Sequence, residues 1–168
     1  MADITHGTWI KDGSAVDAVY QGGVKVYGRN LSLNTSIPNS VQGNGASTVW
    51  QDVRKLNLSQ NPAGLTVTFS YAVTIDKPDS GKLYMQFGND FSPAWGMPVA
   101  VNLSTLKTGV KTNFHSTIVF PKYIGSGNFN ECMIGIVQCS ALVKFEDLKI
   151  EQGSVATPWS PAPEDILK

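Results

Sequence analysis

Hydrophobic and polar residues alternate with a period of two along most of this chain, which is the mark of strands with one buried face. The longest run is Leu65 to Ile75. Leu65, Val67, Phe69, Tyr71, Val73 and Ile75 fall on one side, and Thr66, Thr68, Ser70, Ala72 and Thr74 on the other. The first side is core; the second is small and hydroxylated, fit either for solvent or for the floor of a shallow groove. Leu83, Met85 and Phe87 alternate likewise with Lys82, Tyr84, Gln86 and Gly88, and Phe114, Ser116, Ile118 and Phe120 with Asn113, His115, Thr117 and Val119. The last of these runs is expected as a strand from Gly109 to Phe120, and further strands at Thr48 to Leu58, at Pro98 to Leu103 and, as an apolar run, at Glu131 to Gln138. Within Thr48 to Leu58, Val49, Gln51 and Val53 oppose Trp50, Asp52 and Arg54, so one tryptophan stands among polar neighbours.

At the end of the chain Val143 and Phe145 point one way, and Leu148 and Ile150 resume the inward set after one extra residue, which predicts a bulged strand. Gly153 then releases the backbone, and Pro158, Pro161 and Pro163 cannot donate to a sheet, so the chain leaves the core as a stiff tail anchored by Trp159. At the other end, Met1 to Gly7 read as a polar lead-in. Short strands follow at Thr8 to Ile10, Val16 to Tyr20 and Val24 to Tyr27, separated by Asp12-Gly13 and Gly22-Gly23. Ser32 to Ser47, rich in Ser, Asn, Thr and Gly with Pro38, predicts a long loop, and Gly125 to Asn128 a flexible turn. With about eight to ten strands and no convincing helix, the pattern is that of an all-β sandwich of two antiparallel sheets.

Composition narrows what such a domain can bind. The 168 residues suit a single domain, charged residues make up 15%, and 13 basic residues balance 13 acidic ones. Binding to nucleic acid or an anionic membrane calls for a basic surplus, and the arginines, Arg29 and Arg54, do not supply one. A neutral polar partner fits better. No apolar run approaches the roughly 20 residues of a membrane-spanning helix, and no secretion pattern opens the chain. Cys132 and Cys139, in or beside one apolar strand, are expected to be free thiols. Asn30, Asn34, Asn57 and Asn102 match the N-glycosylation sequence, which without a secretion signal reads as coincidence.

Little points to catalysis. Glycosidases need two carboxylates held at a fixed separation. Here Asp76 and Asp79 flank a turn, whereas Glu146, Asp147, Glu151, Glu164 and Asp165 gather around the closing strand and tail. No Gly-x-Ser-x-Gly elbow, phosphate-binding glycine loop or His-rich metal motif is present. His6 and His115 do not make a zinc site with two cysteines on one strand.

The run Leu148, Glu151, Gly153, Thr157, Trp159, Pro161, Asp165 resembles the closing strand of carbohydrate-binding modules in tail and baseplate proteins of phages that infect Gram-positive bacteria. Tyr27, Gly28, Arg29, Asn30 and Leu31 look like the start of the same modules. These are sandwiches similar to the family 4, 9 and 22 carbohydrate-binding modules. The resemblance implies a jelly-roll-like β-sandwich and a non-catalytic module of a virion tail, assembled in the host cytoplasm and adhering at the host surface to a cell-wall polysaccharide. It divides the chain into residues 1–28, a β-hairpin connector to the parent phage tail protein, residues 29–157, the sandwich, and residues 158–168, a Pro-rich tail. An ordinary edge hairpin is an equal reading of the first segment. A structural domain of the particle that contacts protein only, or a module of a bacterial glycosidase or adhesin, are the other functions open. Related modules often hold a structural calcium. Asp147 matches its closing-strand ligand, but no Glu or Asp lies between Asn30 and Asp52, so no metal or other cofactor is expected.

A pyranose presents a face of C–H groups that stacks on an aromatic ring and a rim of hydroxyls that bonds to amides, carboxylates and hydroxyls. Trp50, Tyr84, Phe91 and Trp95 offer the rings, and Gln86, Asn89, Asp90, Asn113 and His115 the polar groups. By alternation, Trp50, Tyr84, Gln86 and His115 line one concave sheet, with the loop from Asn89 to Trp95 closing its end. Each has a plainer reading: Trp50 as a plug over the rim of the core, Phe91 and Trp95 as packing over an open sandwich end, His115 as a surface residue.

Overall fold

The computed structural model describes residues 2–5, 7–45, 50–126, 129 and 131–167, with backbone only for 2–5. Met1, His6, the Ala46-Ser47 end of the expected loop, the Thr48-Val49 start of the strand after it, Gly127 and Asn128 of the flexible turn, Asn130 and Lys168 lie outside the described residues.

The chain begins with two small antiparallel sheets. One contains β1 (Ala2–Thr5), β2 (Thr8–Lys11) and β3 (Ser14–Ala15), and the other β4 (Ala18–Gln21) and β5 (Val24–Gly28). The polar lead-in is therefore a strand in part, because β1 finds a partner in β2, with Ile4 opposite Trp9. Next come β6 (Asn39–Gln42), β7 (Gln51–Lys55), β8 (Thr66–Ile75), β9 (Lys82–Phe87), β10 (Phe91–Ser92) and β11 (Val99–Asn102). After a 3-10 turn at Leu103–Thr105 follow β12 (Thr112–Val119), β13 (Lys122–Tyr123), β14 (Cys132–Val137) and β15 (Leu142–Gln152).

Eight of these strands form two four-stranded sheets, in the orders β12-β8-β15-β6 and β11-β9-β14-β7, every pair antiparallel. Numbered among themselves, the first of the eight pairs with the last, the second with the seventh, the third with the sixth and the fourth with the fifth. That nested pairing is a jelly roll. β6 corrects the sequence reading of Ser32 to Ser47 as one loop. Its polar side chains gave no strand signal, but as an edge strand it needs only the β15 backbone, with Val41 opposite Val143.

The core lies where the two sheets face each other. Val67, Phe69, Tyr71, Val73 and Ile75 of β8 and Val143, Phe145, Leu148 and Ile150 of β15 meet Leu83, Met85 and Phe87 of β9 and Ile134 and Ile136 of β14, all buried. The register of β15 against β8 shifts between Glu146 and Lys149, the expected bulge, and Asp147 there takes a φ of 55°. The bulge returns Leu148 and Ile150 to the inward side.

Only part of the outer side of β8 faces solvent. Thr68 and Ala72 are fully buried, because residues after Gly153 fold back across this face. Thr68 Oγ1 donates to the Gly153 carbonyl at 2.7 Å, and Lys149 Nζ to Thr157 Oγ1 and the Pro158 carbonyl, both at 2.7 Å. The tail ends in α1 (Pro163–Ile166), a single turn started by Pro163, where the sequence led us to expect no helix. Cys132 and Cys139 are free and buried. Burial pushes the Cys139 thiol up to about 11 and the Cys132 thiol up as well.

Candidate functional site

Two regions concentrate polar chemistry: a seam joining the two ends of the chain, and the outer face of the β11-β9-β14-β7 sheet.

The seam is built from the two stretches that carry the sequence resemblance. Asn30 is fully buried. Its amide nitrogen donates to Leu148 O and Ser160 O, each at 3.0 Å, and to Thr35 Oγ1 at 3.1 Å, while its carbonyl oxygen accepts from Ser32 N at 3.0 Å and Ile150 N at 3.1 Å. Burial at this depth leaves no room for a glycan. Arg29 bridges Asp17 of the N-terminal segment and Glu164 of α1. Glu151, also fully buried, pairs with Lys25 Nζ at 2.8 Å and accepts from Thr157 N at 2.7 Å. A β-carbon at Gly28 would overlap both the Glu151 carboxylate and the Lys25 ammonium, so the ion pair needs glycine there. Lys149 lies 5.4 Å from the Tyr27 ring centroid, and burial holds its ammonium down at about 8. Asn30, Glu151 and Lys149 are thus matched by protein groups and leave little for a ligand.

A structural calcium does not fit this end of the molecule. Asp147 and Glu146 both accept from Lys111, and Glu151 is matched by Lys25, so lysine ammoniums take the charge a metal would balance. Among the described residues no group of three His, Cys, Asp or Glu is placed to hold a metal.

The outer sheet face is built differently. Tyr84 stands opposite Gly135 of β14, Gly135 opposite Asp52 of β7, and Gln86 opposite Met133. The indole of Trp50 lies over Gly135, where any β-carbon would overlap it, and its Nε1 donates to Asp52 Oδ1 at 2.6 Å. Trp50, Tyr84 and Gln86 are each partly exposed. The indole thus seats on the sheet surface and does not plug the core. Gly135 was overlooked in the sequence, although a lone glycine inside an apolar strand is a signal of close approach.

The loop following β9 begins at the Gln86 end of that strand. Asn89 is exposed and Trp95 is 53% exposed, at a φ of 55°. Asp90 packs against Gly125, and Tyr123 Oη lies 3.5 Å from its Oδ2. Phe91, expected as a stacking ring, is fully buried, between Phe87 at 5.3 Å, Tyr123 at 5.4 Å and Phe120 at 5.8 Å. The β10–β13 pairing turns it inward.

His115 does not share a sheet with Trp50, Tyr84 and Gln86. It lies on β12 opposite Ser70, in the β12-β8-β15-β6 sheet, and Asn113 lies opposite Ala72. The two exposed side chains belong to the other outer face of the sandwich, so the expectation of one surface lined by all four residues is corrected. They border a pocket of about 330 Å³ closed on its far side by Pro158 and Trp159. A second pocket, of about 410 Å³, lies beside β7, where Arg54 holds the 33–39 loop through Leu33 O, Asn34 O, Ile37 O and Asn39 Oδ1.

No protein-family model matches the chain, and no curated protein matches it. Among solved structures, its fold is similar to a chain of the tripod (BppUct-A-L) from the baseplate of bacteriophage Tuc2009, with a TM-score of 0.56 and 16% identity over 82% of this chain. The match spans 59% of that baseplate chain. A structure described as "CBM4 structure and function" aligns over 90% of this chain and 78% of its own, with a TM-score of 0.38 and 16% identity. The chain thus has a fold found in a phage baseplate, in agreement with the resemblance carried by its two ends.

Proposed function

We propose that this chain is a non-catalytic carbohydrate-binding domain of a phage tail or baseplate, adhering to cell-wall polysaccharide of a Gram-positive host. The observation that carries this reading is the seating of Trp50. Its indole rests on Gly135, is held in plane by Asp52, and lies in a row with Tyr84, with Gln86 one step along β9. A ring fixed this way on a sheet surface offers a pyranose a stacking plane at little conformational cost, and Gln86 and Asp52 supply hydrogen-bonding groups beside it. Asn89, Asp90 and Trp95 extend that surface at the end of the sheet. Single-sugar affinity is weak in such an open site, and many copies on one particle raise it through effective concentration.

Attachment to a parent tail protein uses the N-terminal 28 residues. The β4–β5 hairpin exposes Tyr20 at 65%, Val24 at 63% and Val26 at 39%, a small apolar surface suited to a protein contact.

The test is binding of a fluorescent fusion to intact Gram-positive cells, with soluble monosaccharides as competitors and Trp50→Ala and Trp95→Ala as controls. Labelling lost to one sugar and to a folded variant supports the reading. A folded domain that labels no cell surface favours an assembly domain that contacts protein only.

A further inference from the structure

The pocket between the edge strand β12 and the C-terminal tail lies on the opposite side of the sandwich from Trp50. We infer that it is a second saccharide site, sized for one or two pyranose rings; this rests on the reading of the domain as a carbohydrate binder.

Four observations carry it. First, the pocket pairs a ring with unengaged polar groups. Trp159, 37% exposed, stands on the tail side, and Asn113 and His115 stand on the β12 side. Among the described residues neither of these two side chains takes part in a hydrogen bond. Second, Ser70 lies between the two walls, opposite His115 in the strand register, and its buried Oγ finds no partner among the described residues. A buried hydroxyl left unbonded is costly, and a sugar hydroxyl entering the pocket would supply the missing hydrogen bond.

Third, the β15 bulge aims an acid at the pocket. Asp147, at a φ of 55°, borders it while one carboxylate oxygen, Oδ2, is engaged by Lys111. Non-glycine residues in the left-handed region gather where a side chain must be aimed. A carboxylate whose other oxygen is not engaged can accept from two adjacent sugar hydroxyls.

Fourth, the tail wall is fixed before any ligand arrives. Lys149 binds Thr157 Oγ1 and the Pro158 carbonyl, and Thr157 N donates to Glu151, so the backbone leading into Trp159 is tied to the sheet. At about 330 Å³ the pocket is at the small end of ligand sites, which run from about 300 to 1,000 Å³. With one site on each outer face, a single domain could bridge two polysaccharide strands.

The test uses the full chain labelled with 5-fluorotryptophan. Its four indoles, Trp9, Trp50, Trp95 and Trp159, give separate fluorine resonances, assigned by Trp→Phe variants. The probe is a panel of methyl pyranosides of neutral and N-acetylated hexoses. The expected result is a saturable shift of the Trp159 resonance with at least one member. Asn113→Ala, His115→Ala and Asp147→Asn should each weaken that response by about tenfold, the equivalent of a lost hydrogen bond to a charged or well-placed partner, and leave the Trp50 response unchanged. These exposed or half-exposed positions keep the variants folded, and Asn tolerates the backbone at Asp147.

A response at Trp50 but none at Trp159 overturns the second site and leaves the proposed function standing. A response at Trp159 alone supports the second site and removes the Trp50 face from the function. A Trp159 shift indifferent to all three substitutions overturns the pocket as its origin, and silence of every indole overturns both readings.

Discussion

The seam and the Trp50 face use polar side chains in opposite ways. At the seam Asn30, Glu151 and Lys149 are fully buried with their hydrogen-bonding capacity turned inward: Asn30 to Leu148, Ile150 and Ser160, Glu151 to Lys25 and Thr157, and Lys149 to Thr157 and Pro158. On the sheet face Trp50, Tyr84 and Gln86 stay partly in solvent, and the single bond to Asp52 fixes the indole without covering it. A buried polar network specifies one arrangement of the chain, because a half-satisfied one is costly. An exposed, pre-seated ring costs little to keep and is available to a partner. The sequence resemblance lies mostly in the seam, with Trp159 alone of its residues bordering the pocket beside β12, so it speaks for the fold more than for the ligand.

The sharpest break of this contrast comes at the seam. Asn30→Ala removes both halves of the amide that ties Leu148, Ile150 and Ser160 together, and Gly28→Ala forces a methyl into the Lys25–Glu151 pair. Each should cost roughly 3 to 5 kcal/mol, measured by urea unfolding, and lower Tm by about 10 °C. Cell labelling at a temperature where the variants remain folded should be unchanged.

A second expectation concerns pH. Burial depresses the Lys149 ammonium to about 8, below its unfolded value of about 10.4, so the native state sheds this proton first. Between those values the unfolded chain binds more protons, and stability rises with pH; the gain is complete above the unfolded value and is lost as pH falls through about 8. The buried thiols of Cys132 and Cys139, pushed up by desolvation, pull the other way. The quantity to measure is therefore wild type minus Lys149→Met. It should climb by up to about 1 kcal/mol per pH unit from pH 8 to 9.5, and a flat difference would mean that Lys149 keeps an ordinary affinity for its proton.

On the sheet face the effect should move from stability to binding. Trp50→Ala should weaken sugar-dependent labelling about tenfold and change stability by no more than about 1 kcal/mol. Gly135→Ala keeps every ring and lifts the indole off its seat, so it should weaken labelling in the same direction. Normal labelling by Gly135→Ala would show that the seating is immaterial. The smallest effect belongs to His115→Ala, within about 0.5 kcal/mol of wild type in urea, as befits an exposed edge-strand position.

What the sequence determined by itself was local. Alternation placed β8 and β9 within a residue or two and β12 within three, and sorted their inward and outward side chains, because successive residues in a strand must face opposite ways; an unbroken apolar run placed β14. The break after Phe145 showed the bulge for the same reason. Partners of strands were another matter. His115 and Tyr84 look equivalent by alternation, yet they lie on opposite faces of the molecule, since β12 pairs with β8 and β9 with β14 across long stretches of chain. Nothing local records that choice. Phe91 turned inward through β10 and β13, polar β6 became a strand through β15, and the tail covered the outer side of β8, each through a contact between residues distant in sequence. The tertiary structure alone brought Gly28 to Glu151, Asn30 to Ser160 and Trp50 to Gly135, because close approach of distant backbones is a property of packing and not of any one segment.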